Sequence, residues 1–310
     1  MQYGFSIYSF WNALRRGEMT LEEVFAWAAE HGADHMEMAD FVVDLRQNGM
    51  PQTVAALARQ YGLTLSAYSV GSQLASSTGD RYAAELQRLQ GEIDIACALG
   101  APLIRCDLVS VMVGKDATSI EAFDALLPRM AQSAQELCAY AAERGLTVTI
   151  ENHGTLLNGG DRVRRLLRAV NRPDYGCTLD IGNAVCVDED PRVCADALLP
   201  FARRIHIKDF YIREDAYAIG AQYVDGYTIN DPSVLSNGSW LTTRGGRYLR
   251  GAIIGHGDLP LRQLVEQIVA SGYDGYLTIE FEGMEEARLA CQLSIQNLKQ
   301  LVFQSKQKEN

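Results

Sequence analysis

Along the chain, short runs of apolar residues alternate with longer runs in which apolar residues return every three or four positions. The short runs predict strands at 5–9, 35–38, 63–70, 102–107, 146–150, 177–180, 204–208 and 276–280. The longer runs predict helices at 20–30, 51–61, 81–99, 120–144, 162–170, 192–199, 261–270 and 286–303. Thr20 with Glu23 three residues on reads as a capping box, Pro51 as a helix start, and Gly32, Gly62, Gly100 and Gly145 as stops. Pro128 predicts an irregularity inside the 120–144 helix. Strict alternation implies parallel strands joined by helical crossovers. Eight such units in one 310-residue domain predict a closed (β/α)₈ TIM barrel. A doubly wound open sheet is the alternative, but no G-x-G-x-x-G follows the first strand.

One stretch breaks the rhythm. Residues 210–250 lack clear periodicity and hold Tyr211, Tyr217, Tyr223, Tyr227, Trp240 and Tyr248, with Arg244, Arg247 and Arg250 at the end. This insertion, a long lid-like loop after the seventh strand, reads equally as an active-site lid or an oligomer-interface arm. Its arginines serve an anionic substrate group or pair with acids at an interface.

Composition narrows the function classes. Hydrophobic residues make up 47% of the chain and charged residues 22%, enough to build a core. The net charge of −11 opposes nucleic-acid or anionic-membrane partners. No apolar run is long enough for a membrane span, and the charge order at the start is not that of a signal peptide, so we expect a cytoplasmic protein. The seven cysteines are scattered without C-x-x-C, which signals neither a disulfide framework nor a thiolate zinc site.

Barrel enzymes place their chemistry where strands end. Here four successive strands end with Glu151, Asp180, His206 and Glu280. Three carboxylates around one mouth repel unless a cation joins them, and an O₃N donor set suits Mn²⁺ or Mg²⁺, with Co²⁺ or Zn²⁺ as alternatives. One divalent ion per chain, Mn²⁺ by preference, is therefore expected. Residues two apart on a strand share a face, which aims His153 and Lys208 at the same mouth. His153 is a candidate acid or base, or a hydrogen-bond partner of a ligand carboxylate. Lys208 is a candidate to neutralise an enolate oxygen, or a salt-bridge partner of a rim acid. Trp11 reads as a pocket wall or core residue, and Arg213 as a contact to substrate oxygens.

These strand ends, the His206-Ile207-Lys208-Asp209 string and the Gly272-Tyr273-Asp274-Gly275-Tyr276 to Ile279-Glu280 segment resemble the sugar phosphate isomerase/epimerase family of the xylose isomerase-like superfamily. The resemblance implies that Glu151, Asp180, His206 and Glu280 ligate one divalent metal, and that the two glutamates are the catalytic acid/base pair. Asn183 stands where many relatives carry a substrate-contacting histidine. His256, in the Gly255-His256-Gly257-Asp258 turn, is an added histidine, either a substrate contact or a surface residue.

The expected function is a metal-dependent isomerase or epimerase acting on a keto-sugar or related polyol ketone through an enediolate. The alternative is a lyase, of the inosose dehydratase or keto-glycoside eliminating kind, using the same enolate. A homo-oligomer is expected, with a small partner subunit if the keto-glycoside comparison holds. A nuclease of the endonuclease IV type is disfavoured by charge and by only five histidines. A non-catalytic barrel is disfavoured by the complete ligand set.

Overall fold

The computed structural model describes residues 1–111, 113–214, 223–224 and 240–308. Strands β1 (Gln2–Ser6), β2 (His35–Ala39), β3 (Thr64–Val70), β4 (Leu103–Cys106), β5 (Thr147–Glu151), β6 (Tyr175–Asp180) and β7 (Ala202–Ile207) follow one another round a barrel. Between the seventh and eighth barrel strands lie β8 (Asp209–Arg213), β9 (Tyr223–Val224), β10 (Trp240–Thr242) and β11 (Tyr248–Ala252), which form a separate four-stranded sheet. Strand β12 (Tyr276–Ile279) then pairs in parallel with both β7 and β1 and closes the barrel.

Local chemistry explains the element ends. Thr20 caps the helix Leu21–Glu30: its hydroxyl accepts from Glu23 N at 3.2 Å, and the Glu23 carboxylate accepts from Thr20 N at 2.7 Å. The first strand lies three residues earlier than the apolar pattern suggests. Ser6 Oγ accepts from Tyr8 N at 3.3 Å and turns the chain into a short 3₁₀ segment, Ile7–Phe10. The helix Ile120–Ala142 runs unbroken through Pro128, contrary to the expected irregularity. The hydrogen bond that Pro128 cannot donate would have gone to the carbonyl of Asp124, an exposed residue on the solvent side of the helix. The insertion is also more regular than its sequence suggests, since β8 and β11 pair antiparallel from Asp209↔Ala252 to Arg213↔Tyr248. Tyr217 and Tyr227 lie outside the described residues.

The two faces of the barrel strands are filled very differently. The outward face carries Val148, Ile150, Leu179, Ile205, Ile207, Leu277 and Ile279, all essentially inaccessible and part of one core with the helices. The inward positions carry Thr149, Thr178, Arg204 and Thr278, also fully buried. Barrels of this class usually fill the interior with branched apolar side chains. Here a polar shaft leads up to the strand ends, with Thr149 and Thr178 hydroxyls 2.9 Å apart.

Candidate metal centre

One donor atom from each of Glu151, Asp180, His206 and Glu280 lies within 4.8 Å of the other three. Each residue stands within one position of the end of its strand, so the barrel's register brings them together. Glu151, Asp180 and His206 are buried and Glu280 is nearly so. His206 Nδ1 is 3.1 Å from Glu151 Oε1 and 3.9 Å from carboxylate oxygens of both Asp180 and Glu280. Asp180 is aimed by its backbone surroundings. Its Oδ1 accepts from Gly182 N at 2.7 Å and Asn183 N at 2.9 Å. A side chain on Gly182 would put its Cβ 2.9 Å from Lys208 Cβ, so this loop needs glycine to approach the cluster.

The other Asp180 oxygen, Oδ2, and Glu151 Oε2 are buried and accept no hydrogen bond; each meets only a cationic side chain, Lys208 Nζ at 3.3 Å and Arg105 Nε at 3.0 Å. Three buried carboxylates converging on one point, with oxygens satisfied by charge alone, are what a cation site requires. The residues present therefore fit a divalent ion with oxygen and imidazole donors. In the metal-free chain the positive charge comes from side chains. Lys208 Nζ is 2.6 Å from Glu280, 3.3 Å from Asp180 and 3.8 Å from Glu282. Burial opposes its charge, but Asp180 and Glu280 hold its pKa well above the ordinary lysine value. For His206, burial is likewise outweighed by Glu37, Glu151 and Glu280, which push its pKa up to about 10.

A second ring of charges holds the first. Glu37 on β2 accepts from His206 Nε2 at 2.7 Å and lies 2.9 Å from Arg204 Nη2, with Ser69 Oγ also donating to it. This leaves Nδ1 as the ring nitrogen facing the cluster. Burial would raise the Glu37 pKa, but Arg204 and His206 bring it down to about 2. Arg105 on β4 lies 3.0 Å from Glu151 Oε2 and donates to Asp107 at 2.7 Å. Against the effect of burial, Arg105 and then His206 keep Glu151 well below the usual carboxylate range. Asp107 is in turn 3.7 Å from His153 Nδ1. Burial disfavours the charged His153 ring, yet Asp107 and Glu151 raise its pKa above the ordinary value.

Over the cluster lies a cavity of about 310 Å³, lined by Tyr8, Phe41, Arg105, Asp107, His153 and Lys208 as well as Glu151 and Glu280. This is a size that takes a small molecule.

Comparison with known proteins agrees with this architecture. The family described as xylose isomerase-like TIM barrel matches residues 25–301. The chain belongs to the xylose isomerase-like TIM barrel family. One relative is a 3-dehydroshikimate dehydratase of Pseudomonas aeruginosa, 26% identical over 84% of this chain and 36% of its own length. The chain thus spans about a third of that relative. Another is fructoselysine 3-epimerase of Shigella flexneri, 23% identical over 92% of this chain and 94% of the relative. Among solved structures, a xylose isomerase-like TIM barrel protein from Mycobacterium smegmatis in complex with magnesium superposes with a TM-score of 0.65. It is 16% identical, and the match covers 98% of this chain and 97% of the other.

Within this xylose isomerase-like barrel the remaining candidate residues fall into two groups. Lys208 and His153 line the cavity. Asn183 donates to Glu151 Oε1 at 3.3 Å and accepts from Lys208 at 3.4 Å. Trp11 packs behind the cavity wall, with ring centroids 4.8 Å from Phe41 and 5.9 Å from Tyr8. Arg213 and His256 do not line it. Arg213 pairs with Asp258 at 3.1 Å and lies over Trp240 in the small sheet. His256 is exposed on its turn, with only its backbone N–H tied back, to Ile253 O at 2.8 Å. The arginines of the insertion are occupied locally: Arg247 with Asp188 at 2.8 Å, Arg244 with the Val187 carbonyl, and Arg250 over Trp240 and Tyr211. Sequence reading missed Glu37, Arg105, Asp107 and Glu282 as site residues. Glu37 and Arg105 are charges inside short apolar strands, and Asp107 and Glu282 lie one and three residues beyond a strand.

No helix among the described residues is long and apolar enough to cross a membrane.

Proposed function

We propose that this chain is a divalent-metal-dependent isomerase or epimerase that enolises a keto-sugar or related polyol ketone. The observation that carries this reading is the four-residue cluster, whose donor atoms converge within 4.8 Å of one another at the floor of the cavity. Glu151, Asp180, His206 and Glu280 would hold the ion, which when bound supplies Lewis acidity to a carbonyl oxygen and steadies the negative charge of an enediolate. Mn²⁺ is the ion we favour.

The residues divide the remaining work. Glu280, at the cavity edge, takes the proton from the carbon next to the carbonyl. Lys208, 2.6 Å from Glu280, pairs with that carboxylate beforehand and offers positive charge to the developing oxyanion. Glu37 fixes the His206 ring through Nε2. Delivery of a proton to the opposite face of the same carbon, from Glu151, gives the epimer; return of the proton to the neighbouring carbon gives the isomer.

A second reading, elimination by the same enolate, has a specific observation behind it. Epimerisation needs a proton donor on the opposite face, but Arg105, 3.0 Å away, keeps Glu151 well below the usual carboxylate range and so a poor donor. His153, steadied by Asp107, stands ready as an acid for a leaving group. The dehydratase relative fits this branch and the epimerase relative the first. The test is incubation of the Mn²⁺-loaded protein with ketohexoses and inososes in D₂O. Deuterated sugar supports isomerisation or epimerisation, and an unsaturated product supports elimination. Neither, across Mn²⁺, Mg²⁺, Co²⁺ and Zn²⁺, would contradict enolisation. The cytoplasmic location and the homo-oligomeric state, with or without a small partner subunit, stay part of this proposal.

A further inference from the structure

Two spaces that share lining residues with the cavity over the metal cluster differ in size and chemistry. Towards the small sheet the cavity meets a narrow space of about 60 Å³ lined by Cys186, Leu241 and Leu249 among others. That is room for about two waters, not a ring. Towards β3 and β4 it meets a groove of about 710 Å³, and Gly71, Asp107 and Val111 line both spaces. The groove continues over Ser72, Gln73, Ser77 and Arg81. Its lining mixes apolar surface with the hydroxyls of Ser72 and Ser77, and its charges balance, Arg81 and Arg88 against Glu85 and Asp107. Arg88 is bound to Glu85 at 2.8 Å, and Asp107 to Arg105 at 2.7 Å. A lining of zero net charge gives an anionic group no general attraction, whereas hydroxyl groups find donors and acceptors in Ser72, Gln73, Ser77 and Arg81.

Building on the proposed enolisation, we infer that this groove binds a neutral, hydroxyl-rich extension of the substrate. The ketone that reacts is then one ring of a keto-disaccharide or polyol glycoside, not a free monosaccharide. The metal cavity holds the reacting ring and the groove holds its neighbour. Asp107 stands at the junction with one oxygen towards Arg105 and the other towards His153.

Gly71 offers a direct test. Its backbone is not left-handed, and a Cβ built there has no atom within 4 Å, so Gly71→Leu projects into the junction without backbone strain. The experiment measures kcat/KM of the Mn²⁺-loaded full chain for D-fructose and for the keto-disaccharides lactulose and isomaltulose. We expect at least one disaccharide to exceed D-fructose by about tenfold or more, and Gly71→Leu to cut that ratio by a similar factor. A ratio of one or less, or a ratio unchanged in Gly71→Leu, overturns the inference. A phosphorylated ketohexose preferred over both also overturns it. If no sugar reacts, the enolisation reading fails separately. Calorimetric binding to the metal-loaded protein then decides: tighter binding of a disaccharide than of D-fructose, lost in Gly71→Leu, supports the groove, and equal binding refutes it.

Discussion

The two halves of the barrel rim hold different kinds of residue. β5, β6, β7 and β12 deliver Glu151, Asp180, His206 and Glu280, whose donor atoms converge on one point. β2 and β4, with the residue that follows β4, deliver Glu37, Arg105 and Asp107, and each is committed to a side chain from the first half: Glu37 to His206, Arg105 to Glu151, Asp107 to His153. One half supplies ligands and the other decides how they are charged and aimed. A site of this kind cannot be moved to another barrel by copying four residues, because His206 would lose Glu37 and Glu151 would lose Arg105.

The comparison is broken most severely from the ligand side. Asp180→Asn replaces a charged ligand carboxylate with a neutral amide and is expected to lower kcat/KM in the enolisation assay by about a thousandfold or more. Circular dichroism should show the barrel intact.

From the supporting side, Glu37→Gln is expected to weaken metal affinity by about 10–100-fold, read by competition with a chelating dye. It should also cost about 3–5 kcal/mol of stability in urea unfolding, because Arg204 is left buried without its carboxylate. The double variant Glu37→Leu with Arg204→Met sharpens the point. It should regain much of the stability but not the metal affinity.

A smaller effect is pH-dependent. His206 in the metal-free chain titrates at about 10, above the ordinary value near 6.5 that it has when unfolded. Its contribution to stability is therefore full below about pH 6.5 and is lost as pH rises towards 10. The metal-free protein should lose thermal stability across that window. The loaded protein, in which the imidazole must be neutral, should lose less. Metal uptake at pH 7.5 should release a proton, measurable by calorimetry in buffers of different ionisation enthalpy. The smallest effect is expected at Arg213 and His256. Alanine at either should change kcat/KM by no more than about twofold, since neither lines the cavity.

The ligand half of the site was legible in the sequence for a simple reason. Glu151, Asp180, His206 and Glu280 each end an apolar run, and the same feature repeats on four consecutive strands. Period-two alternation then carried the reading to His153 and Lys208. The supporting half lacks any such repeat. Glu37 is one polar residue among methionines in a short apolar strand, and its meaning depends on facing His206 across the barrel, which only the closed register supplies. Arg105 sits on an apolar strand where a charge looks out of place until Glu151 is seen beside it. The insertion was read as irregular because β8 and β11 are separated by more than thirty residues and pair only with each other's help. Arg213 and His256 were drawn in by proximity in sequence to strand ends. The sheet at β8 and the turn at 253–259 carry both away from the cavity.

The central claim is that four strand ends form one cation site, and elemental mass spectrometry of gently purified protein tests it most directly. The account predicts about one divalent ion per chain in the unaltered protein, and its loss in Glu280→Gln. A protein that takes up no divalent ion when offered Mn²⁺, Mg²⁺, Co²⁺ and Zn²⁺, or one that keeps its ion in Glu280→Gln, would contradict it.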